Sequence, residues 1–342
     1  MGIKLLNKLM KQYATNAVKI IHLEKLSGKS IAIDISIYLY KYKSQNMLLT
    51  NIFNLCNVLK YYNINAIFVF DGRPTQLKME TISQRSQQKY LAKQKYYDII
   101  DNYSKDYIKT NKNQLLELKK SFTRVKKEDI DNIKSLLTAY GMKYCEADHE
   151  ADCLCGTLVN TICKDGCLSD DMDMFVYNSR YVYRNLDIVN KTCLEYDLHR
   201  ILSSLQITFD DFKWMCILSQ NDYNSSSSSS SSAKNVFEYY KLYKEYYNNK
   251  NKSHAYTNFV DYIIANENMN KEECSHLQSI HDIYNIETAL FDENKIICKS
   301  MDTDKVYKIL EQDNFIYPPQ SMVALKMPMI PRGAPSQLIQ GC

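Results

Sequence analysis

Two short apolar runs, each ending at an aspartate, place the strongest constraint on the fold of this chain. They span residues 30–34 and 66–71 and end at Asp34 and Asp71. Uninterrupted apolar runs of this length are typical of parallel strands buried on both faces. An amphipathic helical stretch at about residues 46–62 separates them, so this region predicts a strand–helix–strand unit. Ligands of such sheets bind at the carboxyl ends of the strands, and we therefore expect the two carboxylates to be neighbours.

The segment that follows is strongly basic. Between Arg73 and Lys127 the chain has 14 Lys or Arg and 5 Asp or Glu residues, a local charge of +9, whereas the whole chain carries +4. The segment is rich in Gln, Lys and Tyr and has helical periodicity. Positive charge confined to one segment is typical of proteins that bind polyanions. The alternative is a solvated helical hairpin whose charge serves no ligand.

The rest of the chain continues the alternation of helices and strands. Helices are predicted at 129–140 and 150–163, strands at 142–145, 167–169 and 181–183, and mainly helical sequence after Glu195. This order predicts an α/β fold with a Rossmann-like, mostly parallel central sheet flanked by helices, a basic helical insertion and a helical C-terminal part. The eight serines at 225–232 have the composition of a flexible linker.

Acidic residues stand at several predicted strand ends and helix starts. They are Asp34, Asp71, Glu150, Asp152, Asp171 and Asp173, and a further aspartate, Asp222, stands out later in the chain. If these side chains converge on one sheet edge, their charges repel one another unless cations neutralise them. Oxygen ligands without a nearby His or Cys pattern favour Mg²⁺ or Mn²⁺. Alternatively, each carboxylate has a local structural role at a strand end, a helix N-terminus or a turn.

Taken together in order, several segments resemble one known family. Over roughly residues 1–240 the chain resembles the flap endonucleases and the wider xeroderma-pigmentosum-G-type structure-specific 5′ nucleases. The order and spacing of the segments make the resemblance specific. The matching segments are 1–3, 32–34 with 38–40, 69–78, Arg85, 146–153, 169–173 and 216–223.

The resemblance implies a PIN-like nuclease fold and a centre of two Mg²⁺ ions, with Mn²⁺ as a substitute. The seven carboxylates named above would hold the ions, and Lys78 and Arg85 would contact the scissile phosphate. The chemistry agrees, because phosphodiester hydrolysis needs an activated water and neutralisation of developing negative charge. Lys78 and Arg85 are seven residues apart and share one face of a helix.

The resemblance also implies a set of DNA-binding residues. The basic segment corresponds to an arch through which a single-stranded 5′ end threads, and its lysines and tyrosines suit backbone tracking and base stacking. Tyr40 resembles the family's base-stacking aromatic residue, and Gly2 lies near the active site in that family. The predicted DNA-binding residues are Gly2, Tyr40, Lys89, Lys93, Lys95 and Lys234.

Two features depart from the family pattern. The serine tract stands where a helix-hairpin-helix with a Gly-x-Gly hairpin is expected, so the hairpin is degenerate and Lys234 remains as its phosphate contact. No aromatic pair follows Gln320, so binding to a sliding clamp is not predicted.

We therefore predict a Mg²⁺-dependent structure-specific 5′ nuclease that hydrolyses DNA phosphodiesters near single-strand/duplex junctions in replication or repair. Within the family, a 5′–3′ exonuclease or a junction-cleaving enzyme is the alternative. Outside it, the alternatives are a non-catalytic branched-DNA-binding protein and a phosphatase that uses Asp171 and Asp173. The expected partner is branched or 5′-flap DNA, and the expected state is a monomer.

Domain boundaries and location follow from the same sequence. The predicted regions are an N-terminal nuclease region at 1–77, a basic arch at 78–127, an internal nuclease region at 128–223, a helical region at 224–316 and an extended tail at 317–342. No apolar run approaches the ~20 residues of a membrane span, and no signal peptide is recognisable. The eleven cysteines are expected to be reduced thiols. The expected location is the nucleus, which is the host nucleus if the source is a virus, and a cytoplasmic replication site is the alternative.

Overall fold

The computed structural model describes residues 2–75, 78–102, 111–223, 234–250, 256–285, 291–313 and 315. The serine tract at 225–232 and the predicted tail at 317–342 lie outside the described residues. None of the helices in the described ranges is both long and apolar enough to cross a membrane.

The described strands form one mixed sheet in the order β1-β7-β6-β5-β2-β3-β4. Strands β2 to β6 are parallel, and β7 runs antiparallel to both of its neighbours, β1 and β6. The mostly parallel sheet is confirmed, whereas β1 and β7 were not predicted. The strands are β1 (Val18–His22), β2 (Ser30–Asp34), β3 (Asn65–Phe70), β4 (Lys143–Glu146), β5 (Cys167–Leu168), β6 (Tyr181–Asp187) and β7 (Thr192–Asp197).

Helices cover both faces of the sheet. One hydrophobic core lies between the sheet and α1, α7 and α8 to α12, and the other lies between the sheet and α2, α3, α6 and α13. The helices are α1 (Leu6–Tyr13), α2 (Ser36–Ser44), α3 (Leu48–Tyr61), α4 (Met79–Asn102), α5 (Lys112–Phe122), α6 (Lys127–Tyr140), α7 (Ala151–Thr161), α8 (Leu198–Leu205), α9 (Phe209–Leu218), α10 (Val236–Lys250), α11 (Phe259–Asn266), α12 (Lys271–Ile283) and α13 (Thr303–Leu310).

The basic insertion contributes α4 and α5, which pack against each other. Ile99 and Leu115 are buried, and the rings of Tyr96 and Phe122 lie 5.3 Å apart. The predicted helical character of this segment is confirmed for its described residues.

The last described segment covers the β4 edge of the sheet. The Ile297 amide donates to the carbonyl of Tyr144 at 2.8 Å, and the Tyr144 amide donates back to Ile297 at 3.1 Å. The amide of Asp302 then donates to the carbonyl of Ala139 at 2.7 Å, which leads the chain into α13 beside α6. This single bridge satisfies the amide and the carbonyl of Tyr144 on the edge strand.

Candidate metal centre and active site

The alternation of side chains along β2 and β3 brings two aspartates to the same side of the sheet. Ala32 on β2 and Val69 on β3 point into the core under α1 and α7, and Asp34 and Asp71 lie two residues further along. β2 has β5 on one side and β3 on the other, so its carboxyl end is a crevice where the strand order reverses. Both aspartates therefore lie at this end of the sheet, where each accepts a hydrogen bond from Ser36.

Hydrogen bonds from backbone and serine groups fix these two carboxylates. Asp34 accepts from the Ser36 amide at 2.9 Å and from the Ser169 hydroxyl at 3.1 Å. Asp71 accepts from the Ser36 hydroxyl and, at 2.9 Å, from the amide of Ala151 at the start of α7. The two serines have no role in the sequence prediction, although each stands within two residues of a predicted carboxylate.

Three further parts of the chain bring the remaining acidic side chains to the crevice. Glu150 is the N-cap residue of α7 and Asp152 lies in its first turn. Asp171 and Asp173 follow β5, where the Asp173 amide donates to Asp171 Oδ1 at 3.1 Å and Asp173 opens a 3₁₀ turn. Asp222 follows α9. The Asp171–Asp173 pair therefore lies in a tight turn.

Two cations from the start of the basic insertion reach into this acidic cluster. The Lys78 ammonium lies 2.7 Å from Glu150 Oε2 and 3.6 Å from Asp222 Oδ2. One terminal nitrogen of Arg85 lies 2.6 Å and 2.8 Å from the two carboxylate oxygens of Asp222. Burial alone would lower the pKa of Lys78, but Glu150 and Asp222 outweigh it and the pKa is raised. Lys78 is therefore firmly protonated within the cluster.

Burial and mutual repulsion disfavour the charged forms of the inner aspartates. Burial, followed by the charges of Asp71 and Asp171, raises the pKa of Asp34 to about 7. Burial is also the main reason why the pKa values of Asp152, Asp171 and Asp173 are raised. These carboxylates are therefore neutralised either by bound protons or by a cation in addition to Lys78 and Arg85.

The donor set fits a hard divalent cation. All seven side chains offer oxygen, the ligand preferred by Mg²⁺ and Mn²⁺. Among the described residues, the buried oxygens Asp152 Oδ1 and Asp173 Oδ1 have no hydrogen-bond partner. Glu150 and Asp222 instead pair with Lys78 and Arg85. In the ranges that the structure describes, no group of three or more His, Cys, Asp or Glu side chains is arranged so that it could hold a metal ion as it stands.

Gly2 lies directly against the cluster. A Cβ atom at this position would lie 2.1 Å from Asp171 Oδ1 and 2.2 Å from Asp173 Oδ1, and its φ of +75° also favours glycine. The amide of Lys4 donates to the carbonyl of Gln220 at 3.0 Å, which holds this segment beside Asp222. The predicted proximity of Gly2 to the acidic residues therefore agrees with the geometry.

The remaining predicted DNA-binding residues lie in two places. Tyr40 on α2 is 44% exposed, and the Lys89 ammonium lies 5.1 Å from the centre of its ring. Lys93 and Lys95 are exposed on α4. Lys234 lies apart from this group, in an ion pair with Glu267 at 2.6 Å.

Two tyrosines complete the inner wall of the cluster. The Tyr223 hydroxyl donates to Glu150 Oε2 at 2.7 Å, and the Tyr284 hydroxyl donates to Asp173 Oδ2 at 2.9 Å. Tyr223 stands next to Asp222 in the sequence and could be found from that position. Tyr284 belongs to no recognisable motif, so sequence reasoning had no signal for it.

Family models match the two parts of the chain that supply the acidic residues. The XPG N-terminal domain matches residues 1–92, and the XPG I-region matches residues 141–222. Together they cover about half of the chain and all seven carboxylates. The chain belongs to the XPG family. The resemblance stated from the sequence is thereby confirmed.

Individual members of the XPG family match over much of the chain. Flap endonuclease 1 of Theileria annulata is 31% identical over 241 residues, which cover 65% of this chain and 46% of that protein. Flap endonuclease 1 of Glycine max is 29% identical over 245 residues, covering 66% of this chain and 62% of that protein. The chain thus spans about half to two thirds of the length of these relatives.

Solved structures support the fold of this XPG family member. The catalytic core of Rad2 in complex with a DNA substrate superposes with a TM-score of 0.59 at 20% identity, covering 89% of this chain and 93% of that one. Flap endonuclease-1 from Methanococcus jannaschii gives a TM-score of 0.56 at 19% identity, covering 88% and 91%. The α/β fold with a mostly parallel sheet is confirmed.

Proposed function

We propose that the chain is a divalent-metal-dependent 5′ nuclease that hydrolyses DNA phosphodiesters near the junction between a single strand and a duplex. The observation that carries the proposal is the convergence of seven carboxylates, from five separate parts of the chain, with Lys78 and Arg85 at one sheet edge. Membership of the XPG family and the similarity to flap endonucleases support it.

Different residues of the cluster have different proposed roles in hydrolysis. Mg²⁺ bound by the carboxylates would activate a water molecule and stabilise the negative charge that develops on the phosphate. Ser36, Ser169 and the start of α7 hold Asp34 and Asp71 in place. Lys78 and Arg85 would exchange their carboxylate partners for the phosphate oxygens and neutralise them.

The basic insertion supplies the proposed contacts to a single strand. Lys93 and Lys95 are exposed on α4 and would follow the phosphate backbone, whereas Tyr40 offers an exposed ring on which a base can stack. We assign the arch to residues 78–127. We also propose that Lys234 contacts a phosphate of the duplex. The same proposal includes action as a monomer on 5′-flap DNA, in nuclear replication or repair. It does not include binding to a sliding clamp.

The test compares cleavage of two flap substrates in Mg²⁺, one with a free 5′ end and one with that end blocked. Wild-type protein should cut the free flap near its junction. Asp171→Ala should lower the rate by about a hundredfold or more, since a metal contact contributes several kcal/mol to the transition state. Asp148→Ala is the control, because Asp148 also follows a strand of the sheet, β4, but its side chain is 84% exposed and pairs with Lys295.

The outcomes separate the alternatives. Cleavage that begins only at free duplex ends would favour a 5′–3′ exonuclease. Faster cleavage of a four-way junction, included as a third substrate, would favour a junction-cleaving enzyme. Flap binding that is equal with and without Mg²⁺, and without cleavage, would leave a non-catalytic DNA-binding protein.

A further inference from the structure

A tyrosine from the C-terminal helical part lies beneath the acidic cluster. Tyr284 is the C-cap residue of α12 and is 2% exposed. Its hydroxyl donates to Asp173 Oδ2 at 2.9 Å, while Asp173 Oδ1 is buried and has no hydrogen-bond partner among the described residues. Tyr284 therefore holds one oxygen of Asp173 by a hydrogen bond and leaves the other oxygen without one.

The backbone of Tyr284 is anchored by a buried lysine. Lys213 on α9 is 6% exposed, and its ammonium donates to the Tyr284 carbonyl at 3.2 Å and to Asn285 Oδ1 at 2.6 Å. A buried ammonium is costly unless such partners satisfy it, so this anchor resists displacement of Tyr284. It also ties the end of α12 to the helix that leads to Asp222.

The ring of Tyr284 is held between two other tyrosines. Its centre lies 5.1 Å from that of Tyr177 and 5.7 Å from that of Tyr223, the latter in an edge-to-face arrangement. Tyr223 in turn donates its hydroxyl to Glu150. Packed aromatic pairs of this kind leave the phenol little freedom to turn away from Asp173.

We propose that Tyr284 is a positioning residue for the metal centre, whose hydroxyl holds Asp173 so that Oδ1 stays available to a divalent cation. The inference rests on the proposed function, because it requires a cation at this centre. Tyr284 lies outside both segments that the family models match, at 1–92 and 141–222. The helical part after Asp222 thus takes part in the centre itself.

The test uses the full chain and Mn²⁺ as the probe, with the free-ion electron paramagnetic resonance signal as the readout and no DNA present. Tyr284→Phe keeps the ring and removes only the hydroxyl. Loss of a group that orients a metal ligand typically weakens metal binding by roughly 10–100-fold, and we expect a loss in this range. In cleavage assays, the Mg²⁺ concentration for half-maximal rate should rise, while the rate at saturating Mg²⁺ stays near that of wild type.

Tyr240→Phe is the matched control. Tyr240 is also buried, at 6% exposure, but its hydroxyl donates to the backbone carbonyl of Leu205 at 3.2 Å. This variant should bind Mn²⁺ as the wild type does. If Tyr284→Phe does not fold, Asn285→Ala replaces it, since it removes one partner of Lys213, and it should also weaken Mn²⁺ binding.

Several results would overturn the inference. They are unchanged Mn²⁺ affinity in the folded Tyr284→Phe protein, unchanged affinity in Asn285→Ala where that variant is used, an equal loss in Tyr240→Phe, and a wild-type chain that binds no Mn²⁺. A wild-type chain that binds Mn²⁺ but cleaves no branched DNA contradicts the nuclease proposal instead. The Mn²⁺ comparison between wild type and Tyr284→Phe then still decides the role of Tyr284.

Discussion

At the scale of single residues, burial of the inner aspartates disfavours their charged forms and so costs stability at neutral pH. The folded chain raises the pKa of Asp34 from 3.8 to about 7, chiefly by burial. A carboxyl group whose pKa is higher in the folded than in the unfolded state binds more protons when folded, so its contribution favours folding less as the pH rises through that window. The metal-free protein should therefore lose stability between about pH 4 and pH 7 on account of this group.

The substitution Asp34→Asn tests this consequence. In EDTA, the free energy of unfolding of the wild type should fall between about pH 5 and pH 8. In Asp34→Asn this fall should be smaller by more than about 1 kcal/mol, because a difference of one pKa unit corresponds to about 1.4 kcal/mol. Urea denaturation of both proteins at the two pH values measures these free energies of unfolding. Asp148→Asn, at a highly exposed carboxylate, should follow the wild type. Parallel pH profiles for wild type and Asp34→Asn would contradict this effect of burial.

Gly2 gives a second prediction at this scale. Gly2→Ala places a methyl group about 2 Å from oxygens of Asp171 and Asp173, so nuclease activity should fall sharply. Gly28→Ala is matched in backbone strain, since Gly28 has a φ of +77°, but its added Cβ would meet nothing within 4 Å. Left-handed backbone should cost each variant about 1–2 kcal/mol of unfolding free energy. Flap cleavage measured at equal fractions of folded protein separates the steric effect on activity from the loss of stability. An equal loss of activity in Gly2→Ala and Gly28→Ala would contradict the steric explanation.

At the scale of helices and strands, local pattern predicted the elements that carry most of the site. Between residues 30 and 168, each predicted strand or helix outside the insertion agrees with the observed bounds to within two residues. Strong apolar runs and helical periodicity define these elements locally. β1 has the pattern of an exposed edge strand, and its pairing with β7, far along the chain, follows from tertiary structure instead.

The exposed lysines of α4 give a prediction at this scale. If they follow the phosphates of a single strand, Lys93→Gln with Lys95→Gln should weaken flap binding and reduce the slope of log affinity against log salt by roughly 0.7 for each phosphate that is no longer neutralised. The cleavage rate at saturating DNA should change little, because neither lysine touches the acidic cluster. Fluorescence anisotropy over a salt series measures the slope. The same change at Lys305 and Lys308 of α13 should leave the slope unchanged.

At the scale of the whole molecule, the acidic cluster forms only when distant parts of the chain fold together. It includes Gly2, the ends of β2, β3 and β5, the starts of α4 and α7, Asp222 in the segment after α9, and the end of α12. Local signals at strand ends and a helix start indicated six of the acidic residues, and the family resemblance added Asp222 as a metal ligand. Tyr284 and Lys213 could not be predicted, because only tertiary packing of the C-terminal helices brings them to Asp173.

A centre assembled in this way should transmit metal binding to the entire fold. At a Mg²⁺ concentration a hundred times its dissociation constant, the free energy of unfolding should rise by about 2.7 kcal/mol. Amide hydrogen exchange should slow in β2, β3 and β5 and also in α12, since Tyr284 joins that helix to Asp173. Asp171→Ala should show neither effect, whereas Asp148→Ala should show both. Slower exchange confined to the loops beside the carboxylates would mean that the C-terminal helices are not coupled to the centre.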